Sequence, residues 1–97
     1  GYTVLDAGDG AAALELARGH AGPIHLLVTD LAMAGMRGRE LARAVAQLQP
    51  DLRVLFVSGF PGDELERRGL LEAGRPFLSK PFAPEQLAEQ VRQMLVG

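Results

Sequence analysis

Uninterrupted apolar runs alternate with helix-forming stretches along this chain, and this pattern restricts the possible folds more than any other feature. The clearest runs are Ile24–Thr29 and Leu52–Val57. A continuous apolar strand is expected where helices cover both faces of a sheet. Strands that alternate with helices form βαβ units with right-handed crossovers. The sequence therefore predicts an α/β fold with a doubly wound parallel sheet, built as one domain over residues 1–97.

Four strands and four helices follow from the positions of the apolar residues and the breaks between them. The strands are predicted at Tyr2–Ala7, Ile24–Thr29, Leu52–Val57 and Phe77–Ser79. The helices are predicted at Ala11–Arg18, at about Gly38–Gln49, at Asp63–Leu71 and from Pro84 onward. Asp9 is a suitable N-cap for the first helix, and Pro84 suits the first position of the last one.

Composition excludes several classes of function. Net charge is −2, so nothing favours direct binding to nucleic acid or to an anionic membrane. The absence of cysteine excludes disulfides, thiol catalysis and cysteine-ligated metals. No apolar stretch has the length of a membrane span, and no signal-peptide pattern is present. A cytoplasmic protein without direct membrane contact fits these features.

Three strand ends each carry one polar group of a different kind. Asp30, Ser58 and Lys80 supply a carboxylate, a hydroxyl and an amine. In an open α/β sheet, ligands bind at the carboxyl ends of the strands. Gly59 allows a ligand to approach the backbone closely. Pro81 follows the lysine, and a cis bond there would aim the lysine inward.

Handling of a phosphoryl group is the chemistry that suits this combination, because phosphoryl transfer needs positioning and charge neutralisation. Asp30 is the candidate nucleophile that forms an acyl phosphate. Lys80 is placed to neutralise one phosphoryl oxygen, and Ser58 to donate a hydrogen bond to another. A divalent cation would offset the remaining negative charge.

These residues resemble the receiver domain of two-component response regulators over essentially the whole chain. The resemblance is carried by Asp30, Met33, Met36, Gly38, Ser58, Phe77, Lys80 and Pro81. The runs Ser58–Phe60 and Phe77–Leu87 look most like receivers fused to hybrid sensor histidine kinases. The resemblance implies a flavodoxin-like fold. It also implies a parent that could itself be a hybrid histidine kinase.

By the same resemblance, Asp30 accepts a phosphoryl group from a histidine kinase or a phosphotransfer domain, and the receiver promotes its own phosphorylation. Asp30 and the backbone carbonyl of Ala32 would be ligands of Mg²⁺. Ser58 would then move inward and Phe77 would turn into the vacated space, which makes a switch biased by a local charge. The alternative is a pseudo-receiver, a docking or dimerisation module that keeps the fold without phosphotransfer.

The chain departs from the family at its beginning, where receivers carry a first strand and helix with an acidic pair that completes the Mg²⁺ site. This sequence starts at what resembles the second strand, so Mg²⁺ binding is expected to be weak or absent. Asp6 and Asp9 are expected at the far edge of the sheet and not as substitutes for that pair.

The missing strand would lie between Tyr2–Ala7 and Ile24–Thr29, so a vacant slot is expected between two strands roughly 9–10 Å apart. Three outcomes are open. The segment exists in the parent protein, a partner chain fills the slot in a homodimer, or the first strand pairs differently. The first is favoured, then the second.

Overall fold

The computed structural model describes residues 2–31 and 36–96. In chain order the elements are β1 (Val4–Ala7), α1 (Gly10–Gly19), β2 (Leu26–Asp30), α2 (Gly38–Leu48), β3 (Arg53–Ser58), α3 (Gly62–Arg67), β4 (Phe77–Ser79) and α4 (Pro84–Val96). The alternation of strands and helices predicted from sequence is confirmed. Asp9 caps α1 by accepting a hydrogen bond from the backbone N–H of Ala12 at 2.8 Å. None of the helices in the described ranges is long and apolar enough to cross a membrane.

The four strands form one parallel sheet in the order β1-β2-β3-β4. The expected vacant slot is absent, because β1 pairs directly with β2 from Val4 opposite Leu26 to Ala7 opposite Thr29. Within the described residues the first strand pairs with β2, which is the third outcome, and the presence of a further segment in the parent protein stays a prediction. Backbone groups of a strand need hydrogen-bond partners, and the edge of β2 supplies them for β1. The four strands of the described residues therefore form one continuous open sheet with β1 and β4 at its edges.

Helices cover both faces of the sheet, as the continuous apolar strands predict. One face packs Leu27 and Phe56 against the first three helices, through residues such as Ala13, Leu14, Leu41, Val45 and Leu65. The other face packs Leu26, Val28, Leu55 and Val57 against α4, through Leu87, Val91, Met94 and Leu95. Successive strand residues point to opposite faces, so every buried strand needs apolar residues at each position. Because all four strands are parallel, their carboxyl ends lie at one edge of the sheet.

Gln49 ties the end of α2 to the loop that leads into β2. Its side-chain Oε1 accepts a hydrogen bond from the backbone N–H of Ile24 at 2.8 Å. Its Nε2 donates to the carbonyl of Gly22 at 3.3 Å. Ile24 is buried, so its N–H has little access to water as a replacement. Gln49 therefore anchors the start of the strand whose other end carries Asp30.

We expect Gln49→Ala to lower the free energy of unfolding by about 1–2 kcal/mol, because it leaves the Ile24 N–H without its acceptor. Gln49→Glu keeps an acceptor oxygen and loses only the bond to Gly22, so its loss should be smaller. Urea denaturation of the three proteins measures the difference. Equal losses for the two variants would show that the Ile24 bond contributes nothing.

Candidate functional site

Asp30 and Lys80 meet at the carboxyl edge of the sheet. Asp30 is the last residue of β2, and Lys80 directly follows β4. The Lys80 Nζ lies 2.5 Å from the Asp30 Oδ2. The carboxylate side chain is 33% exposed and the lysine side chain 45% exposed. This charge-assisted contact joins two of the three strand-end groups singled out in the sequence, and both remain reachable from solvent.

Backbone hydrogen bonds hold the strand ends in this arrangement. The Lys80 N–H donates to the Ser58 carbonyl at 2.7 Å. The Leu31 N–H, directly after Asp30, donates to the Val57 carbonyl at 2.7 Å. The Lys80–Pro81 peptide bond is cis, the form considered from sequence. Asp30 and Lys80 are thus both fixed to β3, which lies between their strands.

The backbone of Ser58 lies beside the Asp30–Lys80 pair, but its side chain does not face the same side of the sheet as Asp30. It is 1% exposed, and its Oγ accepts a hydrogen bond from the Phe60 N–H at 3.1 Å. Its neighbour Val57 lines the cleft next to Asp30, whereas Ser58 does not. Successive residues of a strand face opposite sides of the sheet, which explains the difference. The accepted bond leaves the hydroxyl proton of Ser58 free for donation.

An open cleft of about 380 Å³ lies beside the Asp30–Lys80 pair. Its polar side chains come from Asp6, Asp30 and Lys80, and its apolar walls include Val28, Val57, Phe82 and Leu87. Two carboxylates and one ammonium therefore share one surface depression. Such a cleft has room for a small anion or for a hydrated cation.

Asp6 lies on β1, an edge strand of the sheet as expected, but it lines the cleft beside Asp30, which corrects the expectation that it is remote from the site. Because β1 pairs directly with β2, Asp6 is opposite Val28 and one strand away from Asp30. The sequence did not reveal that Asp6 is close to Asp30, because the family resemblance places a further strand between β1 and β2. Asp9 is not in the cleft, since it caps α1.

The other predicted residues surround the strand ends. Phe77 is half-buried and packs against the core, and a β-carbon added to Gly62 would lie 3.3 Å from its ring. A β-carbon added to Gly59 would meet no atom within 4 Å, so close approach from solvent is possible there. The Ala32 carbonyl, predicted as a metal ligand, and Met33 lie outside the described residues. The roles of these residues remain predictions.

A magnesium site can be assessed from the oxygen donors that the cleft holds. No group of three or more His, Cys, Asp or Glu side chains capable of holding a metal is found in residues 2–31 and 36–96. The cleft offers two carboxylates, those of Asp6 and Asp30. Mg²⁺ commonly binds one or two carboxylates and keeps several waters. These two carboxylates alone do not make a metal site in the described residues, and Mg²⁺ binding stays a prediction.

Comparison with known proteins identifies the fold and the family. The response regulator receiver domain family matches residues 1–92. The sensor kinase CckA of Brucella abortus is 39% identical over 95 residues, covering 98% of this chain and 10% of that protein. The receiver protein CpdR of the same organism is 36% identical over the whole chain and 79% of its own length. A crystal structure of the CckA receiver domain superimposes with a TM-score of 0.67 at 38% identity, covering 98% of this chain and 78% of that one.

Proposed function

Because this chain belongs to the response regulator receiver domain family, we propose that it is a phosphoacceptor in a two-component phosphorelay. Receiver domains interact with histidine kinases or phosphotransfer proteins, and such a protein would be the phosphoryl donor in the cytoplasm. Asp30 would be the acceptor. The observation that carries the proposal is the contact between Asp30 and Lys80 at the mouth of the cleft.

The reaction would proceed by attack of an Asp30 carboxylate oxygen on phosphorus. The new O–P bond forms as the P–N bond of the donor phosphohistidine breaks, which gives an acyl phosphate on Asp30 and a neutral donor imidazole after protonation. Lys80 is close enough to Asp30 to move onto a phosphoryl oxygen. Asp30 and the Ala32 carbonyl would hold Mg²⁺, which when bound neutralises part of the phosphoryl charge.

The switch would run through Ser58 and Phe77. Phosphorylation adds a charge of about −1.5 to −2 next to a serine whose hydroxyl proton is free. Movement of the Ser58 hydroxyl towards the phosphoryl group would open space beside the half-buried Phe77 ring. Turning of that ring would change the surface around β4 and α4, where a partner would detect the phosphorylated state.

Incubation with acetyl phosphate and Mg²⁺, followed by intact-mass measurement, tests the proposal. We expect the chain to gain the mass of one phosphoryl group and Asp30→Asn to gain none. Asp51→Asn, the same change of charge in the turn before β3, should be labelled like the unaltered chain. A folded chain that takes no label would contradict phosphotransfer. The family fold would then serve as a docking or dimerisation module.

A further inference from the structure

We propose that His25 is a pH-sensitive switch, which holds the amino end of β1 against β2 only while its imidazole ring is neutral. This inference goes beyond the proposed function and does not depend on it. The observation that carries it is a hydrogen bond of 2.9 Å from the backbone N–H of Thr3 to Nδ1 of His25. A titratable side chain is thus the acceptor for the backbone directly before the edge strand.

Hydrogen bonds in both directions join Thr3 to the start of β2. In one direction, the Thr3 carbonyl accepts from the backbone N–H of His25 at 2.9 Å and from that of Leu26 at 3.2 Å. In the other, the Thr3 N–H donates to the His25 ring. Regular pairing of the two strands begins one residue later, at Val4 opposite Leu26. The ring therefore takes the place of a backbone carbonyl at the point where the pairing of β1 begins.

Only the neutral ring can accept this bond. A neutral imidazole has one donor and one acceptor nitrogen, whereas both nitrogens are donors after protonation. Because Nδ1 is the acceptor here, Nε2 carries the proton of the neutral ring. Protonation of Nδ1 would place two N–H donors against each other, and the Thr3 N–H would lose its partner. Thr3 and His25 are both half-buried, so water replaces the lost acceptor only in part.

The side chains around the ring carry no net charge. The phenol ring of Tyr2 meets the imidazole of His25 in a T-shaped contact, with the ring centroids 5.2 Å apart. In the open depression that His25 lines, the charged side chains among the described residues are Asp51, in the turn after α2, and Arg53, the first residue of β3. From α4 the apolar Leu95 lines the same depression. One carboxylate and one guanidinium offset each other, so the hydrogen bond to Nδ1 determines which state of the ring the fold favours.

Acidification is therefore expected to weaken the attachment of β1. Imidazole side chains ordinarily take up a proton between pH 8 and pH 5. Because the hydrogen bond favours the unprotonated ring in the folded chain only, stability rises with pH over this range and falls as the pH is lowered. Loss of one hydrogen bond should reduce the ratio of folded to unfolded chain by about threefold to tenfold.

Urea denaturation at about pH 7.5 and about pH 5.5 tests the inference, with His25→Asn as the central variant. The asparagine Oδ1 can replace Nδ1 as an acceptor, and it does not titrate. On acidification, we expect the folded-to-unfolded ratio of the unaltered chain to fall by about threefold to tenfold more than that of His25→Asn. His20→Asn is the matched control, because His20 is the other of the two histidines and lines a different depression, between α1 and β1. It should keep the pH dependence of the unaltered chain.

Nuclear magnetic resonance of the unaltered chain provides a second measurement that needs no variant. The Thr3 amide proton should shift upfield as the His25 ring is protonated, because it loses its hydrogen bond. Two results would overturn the inference. One is a folded His25→Asn with the same pH dependence as the unaltered chain, and the other is a Thr3 amide resonance that does not follow the titration of His25. Neither result would affect the proposed function, because phosphoryl labelling of Asp30 is measured separately.

Discussion

Replacing Gly38 with valine is expected to destabilise the protein by about 3 kcal/mol, the upper end of the range for overpacking. Gly38 begins α2, and a β-carbon there would lie 2.9 Å from the carbonyl oxygen of Leu70 and 3.3 Å from the ring of Phe56. The Gly38 N–H also donates to the Leu70 carbonyl at 2.8 Å. The backbone oxygen cannot move away without breaking this bond, so the start of α2 must separate from the segment before β4.

Chemical denaturation measures this loss, and Gly19→Val is the matched control. Gly19 ends α1, is exposed, and an added β-carbon would meet no atom within 4 Å. Its replacement should change the free energy of unfolding by no more than about 0.5 kcal/mol, as for most surface substitutions. A domain of this size has roughly 5–15 kcal/mol of stability, so 3 kcal/mol is readily detected. Equal losses at the two glycines would contradict the close approach at Leu70.

Hydrophobic patterning was sufficient to predict the central strands of this fold. β2 and β3 have apolar residues on both faces, which is the pattern expected of strands that helices cover on both sides. The breaks at Gly and Pro located the helices well enough to give the order of the elements. The proximity of Asp30 and Lys80 was also predicted, because Asp30 ends β2, Lys80 directly follows β4, and parallel strands bring their ends to one edge.

The neighbours of β1 could not be predicted in the same way. The expected separation of β1 from β2 came from the family resemblance. Which strand β1 pairs with depends on which edge of β2 is free, and not on the residues of β1 alone. Direct pairing of β1 with β2 brings Asp6 into the cleft beside Asp30, although β1 is still an edge strand. The Ser58 hydroxyl is a similar case. Its Oγ accepts a hydrogen bond from the backbone N–H of Phe60, and this bond depends on the turn after β3, which leaves no periodic signal in the sequence.

Lys80→Met is expected to reduce the rate of phosphoryl incorporation from acetyl phosphate by about 10²-fold or more, the usual cost of removing one charge-stabilising donor. On the proposed function, the ammonium group at 2.5 Å from Asp30 neutralises the phosphoryl oxygens as the acyl phosphate forms. Folding should be little affected. Both side chains are partly exposed, and ion pairs of this kind contribute about 0–1 kcal/mol to stability.

Comparison of labelling rates and unfolding curves for the same variants separates chemistry from folding. Lys80→Arg keeps the positive charge but places a planar, bulkier group beside Asp30, so an intermediate rate is expected. Arg92→Met is a matched control, because it also removes a cation that pairs with a carboxylate, that of Glu89 on α4. Its labelling rate should equal that of the unaltered chain. Labelling of Lys80→Met at the unaltered rate would exclude Lys80 from phosphotransfer. The contact with Asp30 would then be an ordinary surface ion pair.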